Sequence, residues 1–243
     1  MGKVNKDHNS LDTPVSMVMC VYNEEDHIKH LILDYYRTIY KKLPSTSEFI
    51  IYLDGPTDGS SRIVNNLSKL IDIKVIEKQN SGYAKATTNA LLETKNDLIF
   101  YSDSSGKHSA KDFWKLIKYC KEYDVITGFR YPRNDPFVRQ IISFMQIFLI
   151  CFLYRLPIHD FNTGFKLINR KIIDNVLLDC KYMKQSFSSE LLIRSIKKGY
   201  KVKSVPVTFK NRKVKGTGTT YSILPGMIRR SWNGYYSVLK ENL

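Results

Sequence analysis

Three carboxylates stand where apolar runs end. Glu24 follows "VSMVMCVYN", Asp54 closes "EFIIYLD" and Asp103 closes "DLIFYSD". A carboxylate in such a place accepts hydrogen bonds from N–H and O–H groups or holds a hard cation. Tyr22, beside Glu24, adds an aromatic edge for packing a planar group. Arg130 ends another apolar run, "DVITGFR", and its planar fork suits phosphate. Arg139 and Ser143 are four apart, so on a helix they point the same way. Asp103 raises a chemical question of its own. Magnesium prefers carboxylate oxygens, and Ser105, two positions on, offers only a neutral hydroxyl, a poorer ligand. Lys107 and His108 follow it. Either Lys107 supplies part of the missing positive charge, with Asp103 keeping a loose metal or orienting that lysine, or both residues are solvated loop.

These residues need a scaffold that brings them to one rim. Apolar runs of strand length at Val15–Tyr22, Glu48–Asp54, Ile71–Glu77 and Asp97–Asp103, and a fifth strand in "DVITGFR", alternate with helical patterns. In "EEDHIKHLILDYYRTIYKK", for example, Ile28, Leu31, Ile32, Tyr35, Tyr36 and Ile39 recur at three and four. The other helical patterns are "SRIVNNLSKLI", "YAKATTNALLETK" and "KDFWKLIKYCKEY". The alternation predicts an α/β fold with a mostly parallel sheet and helices on both faces. Ligands of such sheets collect beyond the C-terminal strand ends, where Tyr22, Glu24, Asp54, Asp103 and Arg130 fall. Asp58, just ahead of a helix, is expected to make an Asx turn. The second half is organised differently, with "LPIHDFNTGFKLINRK", "SFSSELLIRSIKKG", a strand in "YKVKSVPVTF" and a basic stretch Lys210–Ser222. No repeat or domain linker is visible, so a single domain over 1–243 is expected.

The 243 residues carry a formal net charge of +15 with 43% hydrophobic residues, which excludes global disorder and favours an anionic partner. No nucleic-acid motif accompanies the charge, so nucleic acid is not the expected partner. Four widely spaced cysteines form no C-x-x-C pair and read as free thiols in a reducing compartment. The N-terminal residues lack the apolar core of a signal peptide. The nearly all-apolar Gln140–Tyr154 stretch would reach roughly 22 Å as a helix, short of the ~30 Å hydrocarbon layer. It reads as a core helix or as one lying in the membrane interface between Arg139 and Arg155.

In order along the chain, "MCVYNEE", "LDGPTDGS", "NSGYAKATTNAL", "GFRY", "HDFNTGFKLINRK" and "SFSSELLIRSIKKGYKVKSVPVTFKNR" resemble motifs of the family 2 glycosyltransferases. The likeness is closest to the dolichyl- and polyprenyl-phosphate sugar transferases, the dolichol-phosphate mannosyltransferase subgroup. It implies an A-type (Rossmann-like) glycosyltransferase fold, with an interfacial amphipathic helix and a C-terminal helical elaboration. It places a nucleotide-sugar half at about 14–130, an acceptor half at about 131–222 and an amphipathic tail at about 223–243. Departures are visible: Leu53 replaces an aspartate, Pro56 a serine and Tyr83 a lysine, with Lys85 two positions later.

By this resemblance Tyr22, Glu24, Asp54 and Lys85 bind the nucleotide sugar. Asp103, with Ser105 as a weak ligand, holds Mg2+ or Mn2+, loosely or dispensably. Arg130, Arg139 and Ser143 take an acceptor phosphate, Asp160 and Glu190 face the site, and Arg212 closes over the diphosphate from a mobile loop. The implied activity is inverting transfer of a hexose from a GDP- or UDP-linked donor to polyprenyl or dolichyl phosphate, or another lipid-linked acceptor. The expected place is the cytoplasmic face of an anionic membrane, touched by the apolar helix and by a tail with Trp232, Tyr235 and Tyr236 beside Arg229 and Arg230. A phosphate acceptor, mostly ionised near neutrality, needs no general base. Two alternatives stay open: transfer to a glycan hydroxyl, with Asp160 or Glu190 as base, and a degenerate protein that only binds a nucleotide sugar.

Overall fold

The computed structural model describes residues 12–131, 148, 151, 160–184, 186–210, 233–238, 240 and 241. Seven strands form one sheet: β1 Val15–Val21, β2 Glu48–Asp54, β3 Lys74–Lys78, β4 Leu98–Asp103, β5 Val125–Arg130, β6 Phe165–Asn169 and β7 Val202–Val207. Their order across the sheet is β3-β2-β1-β4-β6-β5-β7. Every pairing is parallel except the two made by β6, which runs against β4 and β5. The predicted mostly parallel α/β sheet is the one formed. Strand β2 has the expected bounds, whereas β3 starts three residues later than its apolar run suggests.

The helices are α1 Ile28–Thr38, α2 Ser60–Ser68, α3 Tyr83–Leu92, α4 Phe113–Leu116, α5 Arg170–Asn175, α6 Phe187–Lys197 and α7, residues 233–238. Because strand side chains alternate, the sheet buries two separate sets. Met17, Met19, Phe49, Ile51, Phe100 and Leu167 face a core shared with Ile28, Ile32, Val64 and Phe113 of α1, α2 and α4. Val18, Ile50, Tyr52, Ile99, Tyr101 and Ile168 face a second core with Ala90, Ile172, Leu191 and Val238 of α3, α5, α6 and α7. Helices therefore cover both faces.

Two expectations are corrected. The periodic stretch "KDFWKLIKYCKEY" gives only the four-residue α4, flanked by 3-10 turns. Tertiary bonds compete with a longer helix: the Trp114 indole donates to the Thr38 carbonyl, and the Asp112 carboxylate accepts the Thr208 N–H. Strand β6 forms within "GFKLINRK", a segment with no strand pattern of its own. In the tail, Tyr235 is not available to an interface as expected, since it is buried in the core with Val238, while Tyr236 is exposed. Trp232, Arg229 and Arg230 lie outside the described residues, as does most of Gln140–Tyr154. Of that stretch Phe148 is exposed, and Cys151 packs against the core that holds Tyr235. No helix among the described residues is long and apolar enough to cross a membrane.

Candidate active site

The parallel strands bring their C-terminal ends to one rim, and a cavity of about 430 Å3 opens there. Tyr22, Glu24, Asp54, Tyr83, Asp103 and Ser105 line it. No lysine or arginine is among its described lining residues. Its floor includes Cys20, whose thiol burial pushes up to about 12, so it stays neutral.

Asp54 is buried at the end of β2 and works locally first. Its Oδ1 accepts the Ser81 N–H at 2.8 Å and the Ser81 hydroxyl at 2.9 Å, and its Oδ2 accepts the Gly82 N–H at 3.1 Å. A carboxylate offers about four lone-pair sites, so one remains for a ligand. Gly55 makes this approach feasible: its φ is +57°, and a Cβ there would lie 2.5 Å from the Asn80 nitrogen. Glu24 is fixed through its backbone N–H, which donates to the Ser60 hydroxyl, and its carboxylate lies 3.7 Å from His27 Nδ1. His27 Nε2 in turn meets the Ser104 carbonyl at 2.7 Å, tying the β1 and β4 loops together. Asp58 makes the expected Asx turn, accepting the Ser60 N–H.

Asp103, at the end of β4, is held through its side chain and its backbone. Its Oδ1 accepts the Ser105 hydroxyl at 2.6 Å and the Ser105 N–H at 3.2 Å. Its backbone N–H donates to Gly164, and a Cβ at Gly164 would stand 2.6 Å from Oδ2. Ser105 thus spends its hydroxyl hydrogen on Asp103 and keeps only its oxygen lone pairs for a ligand. Asp103 does not orient Lys107, whose Nζ sits 5.8 Å over the Phe209 ring. The group beside Asp103 Oδ2 is His108 Nε2 at 3.9 Å. His108 is no solvated loop residue: it is buried and packs between Phe165 and Phe209. Burial holds its pKa down, the Asp103 charge opposing, so the ring is mostly neutral at pH 7. Among the described residues no group of three His, Cys, Asp or Glu could hold a metal. Asp103 keeps Oδ2 and a part-exposed side chain, which fits an ion bound by one carboxylate and by the phosphates of its ligand.

Arg130 comes from the end of β5 and Asp160 from the loop before β6. Because β6 runs backwards, that loop arrives at the same rim. Arg130 Nε donates to Asp160 Oδ2 at 2.7 Å, and Nη2 reaches Oδ1 at 3.4 Å. Burial would raise the Asp160 carboxyl, but the Arg130 charge and bonds, with the Asn162 N–H and Lys166, hold it below the ordinary aspartate range. Phe209 lies under Arg130 as well, 5.3 Å from its guanidinium carbon. Lys166, on β6, is buried and donates to the Thr163 carbonyl. Burial drives it down to about 7 although Asp160 and Asp103 pull the other way. Sequence reasoning passed over Lys166, His108 and Phe209 as site residues. The signal for Lys166 was its place in "GFKLINRK", where the resembling motif carries an arginine.

Two further expectations move. Glu190 does not face the cavity as an available base. It is buried in the first turn of α6, and its carboxylate accepts the N–H groups of Lys181, Tyr182 and Met183 and pairs with Arg194 at 2.9 Å. Lys85 turns to a neighbouring cavity on the other side of Tyr83. Arg139, Ser143 and Arg212 lie outside the described residues.

Residues 16–177 match the family model described as "Glycosyl transferase family 2". A dolichyl-phosphate hexose transferase of Haloferax volcanii is 24% identical over 205 residues, 82% of this chain and 83% of that protein. An undecaprenyl-phosphate 4-deoxy-4-formamido-L-arabinose transferase of Proteus mirabilis is 28% identical over 169 residues, covering 67% of this chain and 51% of that one. Among solved structures, glucosyl-3-phosphoglycerate synthase from Mycobacterium tuberculosis, in a complex with Mn2+, UDP and glucosyl-3-phosphoglycerate, superposes with a TM-score of 0.71 at 16% identity. The match covers 93% of this chain and 80% of that one, and it shares the A-type glycosyltransferase architecture.

Proposed function

Since the chain belongs to glycosyl transferase family 2, we propose that this glycosyltransferase moves a hexose from a UDP- or GDP-linked donor to polyprenyl phosphate at a membrane face. The observation that carries the choice of acceptor concerns bases. A hydroxyl acceptor needs one, and the two acceptor-side carboxylates that could serve are both engaged. Asp160 is locked to Arg130 with a depressed pKa, which makes it a weak base, and Glu190 is filled by three N–H groups and Arg194. A phosphate monoester arrives already ionised, its second pKa being about 6. Both named polyprenyl-linked relatives act on such carriers by their names, which supports the same reading.

In this reading the residues up to about 130 hold the donor and those from about 131 to 222 the acceptor. Tyr22 and Glu24, with the last lone pair of Asp54, take base and ribose. Asp103 would hold a divalent ion against the diphosphate, and that ion would neutralise charge on the leaving group. Such help suits the cavity, whose lining among the described residues carries three carboxylates and no cation. Arg130 steadies the acceptor phosphate, held flat by Phe209 and aimed by Asp160. One phosphate oxygen bonds to the anomeric carbon as the bond from that carbon to the diphosphate breaks. The nucleoside diphosphate leaves, and attack from the opposite side inverts the centre. Arg139, Ser143 and Arg212 are assigned to acceptor and diphosphate from the sequence motifs alone.

The test supplies radiolabelled UDP- and GDP-hexoses with polyprenyl phosphate to purified protein and follows label into an organic extract. Transfer is expected from one donor, suppressed by EDTA and restored by Mg2+ or Mn2+. Absence of extractable label with every donor, while UDP still binds, would overturn the acceptor.

A further inference from the structure

A second cavity, of about 650 Å3, lies across Tyr83 from the first. Its charge is opposite. Lys85, Lys181 and Lys184 line it with Ser81 and Thr88, and no carboxylate is among its lining residues. Among the described residues none of the three lysines makes an ion pair. The carboxylates that Lys181 influences at longer range, Asp179 and Glu241, are taken by Lys198 and Arg194. Three lysines around one concavity, with no carboxylate in its wall, make a positive surface that attracts an anion.

The segment carrying two of these lysines is built, not loose. Glu190, 1% exposed, accepts N–H groups from three successive residues, Lys181, Tyr182 and Met183. Arg194 joins that carboxylate to Glu241 beyond α7, and the Tyr182 hydroxyl reaches Glu241 as well. The buried Glu190 carboxylate thus fixes the backbone of residues 181–183, the turn from which Lys181 and, one residue on, Lys184 line the cavity. The remaining wall, Tyr83, Ala84 and Cys180, is less polar and leaves room for more than a phosphate.

We propose that this cavity is a second ligand site, distinct from the donor cavity, that binds the phosphate of a phosphate-bearing ligand. The phosphate meets Lys85, Lys181 and Lys184, and the body of the ligand lies against Tyr83 and Ala84. The phosphate can come from a lipid headgroup or from a free phosphate compound, and the recognition chemistry is the same.

The test titrates inorganic phosphate into isotope-labelled full chain, alone and with excess UDP, following the backbone amides of Lys181, Tyr182 and Met183. Saturable shifts that persist with UDP are expected. The double variant Lys181→Gln/Lys184→Gln keeps the N–H bonds to Glu190 and should weaken binding on the order of tenfold for each lysine lost. Lys118→Gln/Lys121→Gln, which removes equal charge elsewhere, should not. In parallel, both variants are sedimented with phosphatidylcholine vesicles containing about one-fifth phosphatidic acid. Loss of vesicle binding in the first variant alone identifies a headgroup, and loss confined to the phosphate titration identifies a soluble ligand. If UDP abolishes the shifts, or if the two variants behave alike in both arms, the second site is refuted.

Discussion

Asp160 shows how one residue can set both chemistry and stability. Its folded pKa is depressed below 3.8, so its pairing with Arg130 contributes fully above that value and is lost as pH falls through the folded pKa. Asp160→Asn is expected to cost about 2–3 kcal/mol at pH 7, below the ~3–5 of a fully buried pair because Arg130 is partly exposed. The gap from wild type should close as the pH drops below about 4. Urea midpoints across that range measure it; a constant gap would mean that packing, not charge, carries the effect. At this scale the sequence was most informative where a carboxylate ends an apolar run, as at Asp54 and Asp103. It marked Lys166 only through its place in "GFKLINRK" and gave His108 only as a loop residue, because a group buried beside charges brought from distant strands leaves little local pattern. Lys107 was the natural guess from its neighbours in the chain; the fold turned its neighbour inward instead.

At the scale of elements, the strand–helix alternation was legible because each of β1, β2, β4 and β5 is an apolar run bounded by polar turns. Strand β6 escaped because its five residues, with a lysine second, do not read as a strand until β4 and β5 flank them. The α6 start gives a test of what holds the 181–183 turn. Glu190→Ala leaves three N–H groups and Arg194 without their acceptor, and should lower the melting temperature by on the order of ten degrees, a loss of about 3–5 kcal/mol. Glu190→Gln keeps an acceptor oxygen and should lose less. Equal losses in a thermal melt would show that the cavity left by the side chain matters more than the bonds.

Across the whole molecule, a formal net charge of +15 and a second cavity lined by three lysines favour anionic partners. If membrane contact is electrostatic, sedimentation with anionic vesicles should fall several-fold between about 0.05 and 0.5 M salt, as the Debye length shrinks from more than ~10 Å towards ~3 Å. Binding indifferent to salt would point to apolar insertion. The sheet order has a further consequence, in time and not in space. Strand β5 is made well before either of its neighbours, β6 and β7. Roughly forty residues separate the end of β5 from the end of β6, which at ~5–20 residues per second is about 2–8 seconds of synthesis. For those seconds "VITGFR" has no partner on either edge while β1 to β4 can already pair. The nascent chain therefore carries an open sheet edge at β4 and an orphan strand at β5, the state in which pairing with another chain is most favoured. A ribosome-bound chain stalled with β5 outside the exit tunnel and β6 still inside it should be the form most dependent on a chaperone, and release of β6 from the tunnel should end that dependence.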